Sequence, residues 1–172
     1  MSGMMHIFLW FVFYSFIGWV YETLLVLIAR RKFVWKNFLQ GPFCPVYGLG
    51  AVAVVLLLSP LKGKIIPLFL LGALVTCSVE YATAWFLETF FKHKEWNYSH
   101  RRWNLHGRIC ALGAVVFGAF SVLLIEYIHP VVSAFTHRFP QNALIFYFIS
   151  FGILMAVDFA ITFYKLSFKT TA

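Results

Sequence analysis

Residues 65–91 read IIPLFLLGALVTCSVEYATAWFLETFF, from Ile65 to Phe91, and this run decides the fold. Apart from Glu80 and Glu88 it carries no charge. A helix of this length, at about 1.5 Å per residue, reaches about 40 Å, whereas a hydrocarbon core of about 30 Å needs only about 20 apolar helical residues. Its apolar residues do not alternate with polar ones, as a barrel strand would require, and lipid leaves a helix as the default way to satisfy its backbone. Four further runs read the same way: Met4–Ala29, Phe43–Leu61, Ile109–Ile128 and Ala143–Tyr164. The first lacks a basic leader and a small-residue cleavage site, so it reads as a retained span and not a signal peptide. The expectation is an all-α integral membrane protein of five transmembrane helices forming a single transmembrane domain over residues 1–172.

Composition agrees with that reading. Of 172 residues, 62% are apolar and 12% charged, with a mean hydropathy of +0.83. Soluble domains hold about 45–50% apolar and about 25% charged residues, which excludes a soluble enzyme or a disordered tail. The longest connections, Arg30–Pro42, Lys92–Arg108 and His129–Asn142, leave no room for a soluble catalytic domain. Three cysteines without a C-x-x-C spacing offer neither a disulfide framework nor a zinc site.

A net charge of +8 and a pI near 9.6 would suggest nucleic acid in a soluble chain, but here the bases set orientation. Arg30, Arg31, Lys32, Lys36, Lys92, Lys94, Arg101, Arg102, Arg108, Lys165 and Lys169 fall on one side of a five-span chain; Lys62, Lys64 and Arg138 fall on the other. The positive-inside rule then puts the N-terminus outside and the C-terminus in the cytoplasm, in a multi-pass protein of the cytoplasmic membrane. The partner read from this charge is a lipid bilayer, not a nucleic acid.

The chain also resembles itself. At an offset of 66 residues Trp19, Glu22 and Thr23 meet Trp85, Glu88 and Thr89, and Leu39, Gly41 and Cys44 meet Leu105, Gly107 and Cys110. Each copy is a helix with a Glu near its basic end, a basic loop, and a return helix opened by G-x-x-C. The reading is a parallel two-plus-two repeat, about 4–61 and about 65–128, with 143–164 as an added helix.

Acids inside spans are expensive, at least about 2.5–3.5 kcal/mol at a helix centre, so they face the bundle interior or a wet cavity. Counting along the spans puts Glu22 and Asp158 roughly 10 Å, Glu80 roughly 17 Å and Glu88 roughly 5 Å inside the cytoplasmic ends. These four are candidate substrate or ion ligands in a cytoplasm-facing cavity, together with Arg108. No D-x-x-D or H-E-x-x-H spacing supports a metal site. Glu95 and Glu126 are interfacial. In the segment Gly41–Gly50, Pro42 and Pro45 suit the first turn of a helix and Gly41 and Gly48 allow close packing; Tyr47 is a candidate hydrogen-bonding wall. In Glu95–Arg108, interfacial aromatics and snorkelling bases explain much of the composition. Asn104 and His106 point to a folded loop, with Trp96, Tyr98 and Gly107 among its candidate functional and structural residues.

These motifs resemble a known family. Trp19-Val20-Tyr21-Glu22, Asn37-Phe38-Leu39-Gln40-Gly41-Pro42, Pro45-Val46-Tyr47-Gly48-Leu49-Gly50, Glu80-Tyr81 with Glu88, Trp96-Asn97-Tyr98-Ser99 and Asn104-Leu105-His106-Gly107-Arg108-Ile109 together are similar to the bacterial ABC-transporter type IV (CmpB-like) membrane proteins. They also look like the transmembrane protein 229 family. The match covers roughly Phe11 to Leu112, and the family's usual W-D-Y-S has an acid where this chain has Asn97. The resemblance implies a membrane component of a transport system. It specifies no substrate or cofactor. The chain holds no G-x-x-x-x-G-K-[ST], so an ATPase would be a separate protein.

Three readings follow from the residues. One is a transport protein with an acidic and basic cavity, acting as a homo-oligomer or with a partner subunit. Another is a membrane enzyme on a lipid-linked or phosphorylated substrate, with Arg108 holding an oxyanion. The last is an assembly factor whose acids are structural.

Overall fold

The computed structural model describes residues 2–31 and 39–169, with side chains described for all of these but 29, 30 and 166–169. Lys32, Lys36 and the Asn37-Phe38 motif lie outside the described residues. In chain order the elements are α1 (Ser2–Arg30), α2 (Pro45–Leu58, prolonged by a 3-10 turn Ser59–Leu61), α3 (Ile65–Phe91), β1 (Asn104–Leu105), β2 (Ile109–Cys110), α4 (Ala111–Leu123), a π-helical turn Leu124–Ile128, α5 (His129–Thr136) and α6 (Gln141–Lys169). Among the described residues the fold is all-α apart from the hairpin of the two-residue strands β1 and β2.

Among the described residues four helices are long and apolar enough to cross a membrane: Ser2–Ile28, Ile65–Phe91, Ala111–Thr136 and Gln141–Lys165. The second expected span is a shorter apolar helix, Pro45–Leu61. It starts later than its apolar run because Phe43 and Cys44 belong to the bend before it; Pro45 takes the first helical position, where its missing N–H costs nothing. Pro42 sits in the bend and not in the first turn, which corrects the expectation for that residue. The fourth run differs at both ends. Ile109 and Cys110 form a strand, and the helix continues past Ile128 to Thr136. Pro130 has no N–H for the carbonyl of Glu126 and its ring crowds that carbonyl, so the backbone widens into the π turn Leu124–Ile128 and then resumes as α5.

The chain divides into two compact units, residues 1–48 with 137–172, and residues 49–136. In the first, α1 packs on α6 through Met5, Leu9 and Leu144, and then through Val12, Leu39 and Met155, with Phe8, Phe11, Phe43, Phe151 and Phe159 filling around them. Leu39 is fully buried and fastens the connection between α1 and α2. The start of α2 lies tight on α1: a side chain on Gly18 would overlap the Tyr47 ring, and one on Gly48 would overlap Ser15 and the Phe11 carbonyl. Small residues at such crossings let backbones approach where no hydrophobic driving force exists between helices in lipid.

In the second unit α3 and α4 form an antiparallel pair. Gly72 lies against Ser121, and Gly118 against the carbonyl of Phe69. The turn between α2 and α3 is tied to the same pair, since the Gly63 N–H donates to Glu126 Oε1 at 2.6 Å. Outward-facing side chains stay apolar, as lipid requires: Ile66, Leu70 and Leu74 on α3 are 73%, 60% and 63% exposed. Matching levels along the pair puts Ala111 about level with Glu80. The last eleven residues of α3 therefore run roughly 16 Å past the start of α4. That overhang holds the functional candidate.

Candidate functional site

The overhang of α3 ends at Lys92, which takes the left-handed conformation (φ 52°) and donates its N–H to the Leu87 carbonyl. That reversal sends the chain back along α3. The segment Glu95–Arg108, expected to be a folded loop, is a compact structure built from its own side chains and backbone. Asn97 Oδ1 accepts from the Ser99 N–H at 3.0 Å, an acceptor role that a carboxylate at this position would fill equally. Tyr98 N–H donates to the Gly107 carbonyl at 2.8 Å, and Asn104 spans the turn, donating to the Arg101 carbonyl at 2.7 Å and accepting from Gly107 N–H at 2.9 Å. Strands β1 and β2 pair Asn104 with Cys110 and Leu105 with Ile109. The turn between them has positive φ at His106 (53°) and Gly107 (71°), with Arg108 N–H donating to the Leu105 carbonyl at 3.0 Å. At Gly107 the left-handed backbone favours glycine, and a Cβ would also meet Asn97 Oδ1 at 3.2 Å.

Arg108 fastens this loop to α3. Its Nε and Nη2 donate to Glu88 Oε2 at 2.8 and 2.7 Å, and its Nη1 donates to the Tyr81 hydroxyl at 2.8 Å. All three guanidinium nitrogens are engaged, and the guanidinium carbon sits 5.0 Å from the Tyr81 ring centre. Hydrogen bonding to Glu88 holds the Arg108 pKa above its ordinary value. The Tyr81 hydroxyl, having accepted from Arg108, faces His106 Nδ1 at 3.0 Å. The Arg108 carbonyl is bound as well, by Trp96 Nε1 at 2.9 Å. About two helical turns back along α3 from Glu88, the buried Glu80 accepts from the Tyr98 hydroxyl at 3.2 Å.

The second unit thus gathers Glu80, Glu88, Arg108, Tyr98, Trp96 and Asn104 around the end of α3, with Gly107 shaping their loop. Tyr81 was not among the expected site residues. The signal was available: Tyr81 and Glu88 are seven residues apart, two turns on one face. Glu95 is paired with His93 Nε2 at 2.8 Å.

The first unit holds the other candidates. Asp158 on α6 accepts from the backbone N–H groups of Gln40 (2.9 Å) and Gly41 (2.8 Å), one with each carboxylate oxygen, and Lys165 Nζ donates to the Gln40 side chain at 2.9 Å. A Cβ on Gly41 would stand 2.8 Å from Asp158 Oδ2. Tyr47 is half-buried with its ring edge-on to Tyr21, the centroids 6.1 Å apart, and Glu22 is half-buried on α1. Among the described residues no group of three or more His, Cys, Asp or Glu could hold a metal ion.

One comparison with known proteins returns a match: the family described as Putative ABC-transporter type IV matches residues 9–163. No curated protein and no solved structure matches the chain.

Proposed function

This chain belongs to the ABC-transporter type IV family, and from that premise we propose that it is the membrane component of a transport system in the cytoplasmic membrane, energised by a separate ATP-binding protein. In this reading Pro45–Leu61 crosses as a fifth span, the N-terminus is outside and the C-terminus cytoplasmic. The distribution of bases supports it, because a crossing Pro45–Leu61 gathers eleven of the fourteen on one side, whereas four spans without it divide them evenly. The two-plus-two repeat gains support from the helix starts. Helices α2 and α4 begin at Pro45 and Ala111, 66 residues apart, each directly after the Cys of its G-x-x-C.

The observation that carries a functional role is the polar chain along the end of α3. Glu80, Tyr98, Glu88, Arg108, Tyr81 and His106 form two adjoining hydrogen-bonded groups within an otherwise apolar helix pair. Such a row of ionisable groups suits handling of a proton or cation on the cytoplasmic side. Glu22, Asp158 and Tyr47 are its proposed counterparts in the first unit.

A specific observation favours a second reading of the acids. Glu80, Glu88, Glu126 and Asp158 each accept from a connecting segment, so each also acts as a clasp holding a loop to a helix. The enzyme reading fares worse. Arg108 would have to release both Glu88 and Tyr81 before holding a phosphate.

Native mass spectrometry of the purified protein, followed by single Glu22→Gln, Glu80→Gln and Glu88→Gln variants, separates these readings. Weaker retention of a bound species in the variants supports the transport site. Reduced yield and thermal stability with retention unchanged assigns the acids to the clasp role. Unchanged retention in all three variants overturns the transport site.

A further inference from the structure

Residues Arg101–Trp103 of the loop that Arg108 fastens are held by backbone bonds while their side chains stand free. Among the described residues, the side chains of Arg101, Arg102 and Trp103 make no hydrogen bond, ion pair or ring contact. Trp103 is 86% exposed, the highest value of any large apolar side chain described. An indole in water is costly, and two adjacent guanidinium groups with no acid facing them repel each other. The acids of this unit are already engaged: Glu80 with Tyr98, Glu88 with Arg108, Glu95 with His93 and Glu126 with Gly63.

The backbone shows that this display is built. Trp103 has φ 56°, in the left-handed region that a bulky residue seldom adopts. Three bonds hold it there: Ala111 N–H to the Trp103 carbonyl at 2.9 Å, Asn104 Nδ2 to the Arg101 carbonyl at 2.7 Å, and Arg101 N–H to the Tyr98 carbonyl at 2.8 Å. Strain of this kind persists where surrounding structure over-determines it.

The surroundings are those of a membrane interface. On the overhanging turns of α3, Trp85, Phe86 and Phe90 are 48%, 44% and 62% exposed, and Leu105 of the hairpin is 51% exposed. Lys92 and Lys94 are exposed beside them. Irregular backbone running level with these turns needs water or protein around it, so it does not lie in hydrocarbon. Aromatic side chains mixed with bases at that level match the headgroup layer.

We propose that Arg101, Arg102 and Trp103 form a docking site for anionic phospholipid headgroups. The guanidinium groups take the lipid phosphates, and the indole sits at the boundary between headgroups and acyl chains. Charge complementarity selects the occupant: the Arg101–Trp103 stretch is doubly positive with no acid, and a negatively charged leaflet attracts such bases by roughly five-fold in affinity each. The proposal rests on the membrane placement of α3 and is independent of any transport activity.

The test uses the full chain in nanodiscs of phosphatidylcholine with phosphatidylglycerol, one lipid at a time carrying brominated acyl chains that quench tryptophan. Subtracting the signal of Trp103→Phe isolates the Trp103 component. The expected result is stronger quenching by brominated phosphatidylglycerol than by brominated phosphatidylcholine at equal mole fraction. Arg101→Gln with Arg102→Gln should abolish that preference, and Arg101→Lys with Arg102→Lys should retain most of it. Amide exchange at Tyr98 and Gly107, unchanged in the variants, establishes that the loop remains folded. A Trp103 component insensitive to both lipids, one quenched equally by both, or one that responds only to an added ATP-binding subunit overturns the proposal.

Discussion

Arg108 is the residue on which the loop depends, because every nitrogen of its guanidinium is used. A lysine keeps the charge but has one nitrogen to satisfy both Glu88 and Tyr81, so the exchange is not conservative. Arg108→Lys should speed amide exchange at Tyr98 and Gly107 several-fold, and Arg108→Gln should speed it further, as read by hydrogen-exchange mass spectrometry. The pH dependence follows from the raised pKa. A base whose pKa is raised on folding contributes fully below its unfolded value, and that contribution is lost only as pH climbs through the folded one. The Arg108 contact should therefore hold the loop without loosening on the alkaline side anywhere below the ordinary arginine value. Asp158 is the corresponding anchor of the first unit. Asp158→Asn leaves one good acceptor for two N–H donors and should cost about 2 kcal/mol, measurable as a lower unfolding midpoint in detergent. Gly41→Ala should act in the same direction by pushing a methyl group onto that carboxylate.

Helices α3 and α4 show how elements in lipid meet through small residues rather than through burial of large ones. A Cβ on Gly118 would come within 2.8 Å of the Phe69 carbonyl, which belongs to helix backbone and cannot step aside. Gly118→Ala should destabilise the pair by about 1–3 kcal/mol, the range for overpacking, and lower the thermal midpoint accordingly. The loop between these helices is an element in its own right. Asn104 and His106 already suggested a fold there and Gly107 a structural role, whereas the turn that Asn97 closes with Ser99 shows only in the structure. The direction of the loop was not legible. Whether it left α3 or doubled back depended on the left-handed Lys92, a conformation that a lysine codon does not announce. Counting along α3 from Phe91 puts Glu80 roughly 17 Å inside the span, and what the count could not show is that the return helix starts about level with Glu80, so that the loop lies beside the last turns of α3.

At the scale of the whole molecule the open quantity is the parity of the spans, and it is measurable. In a cysteine-free background, Gly3→Cys and Lys62→Cys should react with a membrane-impermeant maleimide in intact cells, and Lys94→Cys only after permeabilisation. Reaction of Lys94→Cys in intact cells would reverse the orientation. Equal reactivity of Lys62→Cys and Lys94→Cys would place both ends of α3 on one side and end the five-span reading.

The sequence alone determined what kind of solvent this protein is built for. Apolar runs, scarce acids and the placement of bases depend on counts and spacing, and the cost of polar groups in hydrocarbon makes those counts decisive. It also determined the family, since ordered motifs are themselves sequence. Tertiary structure decided which acid meets which group. Glu88 with Arg108, Glu80 with Tyr98 and Asp158 with the Gln40 and Gly41 amides are contacts across 20, 18 and nearly 120 residues of chain. Helical periodicity puts residues on one face, but only packing and the turns between helices select what that face touches.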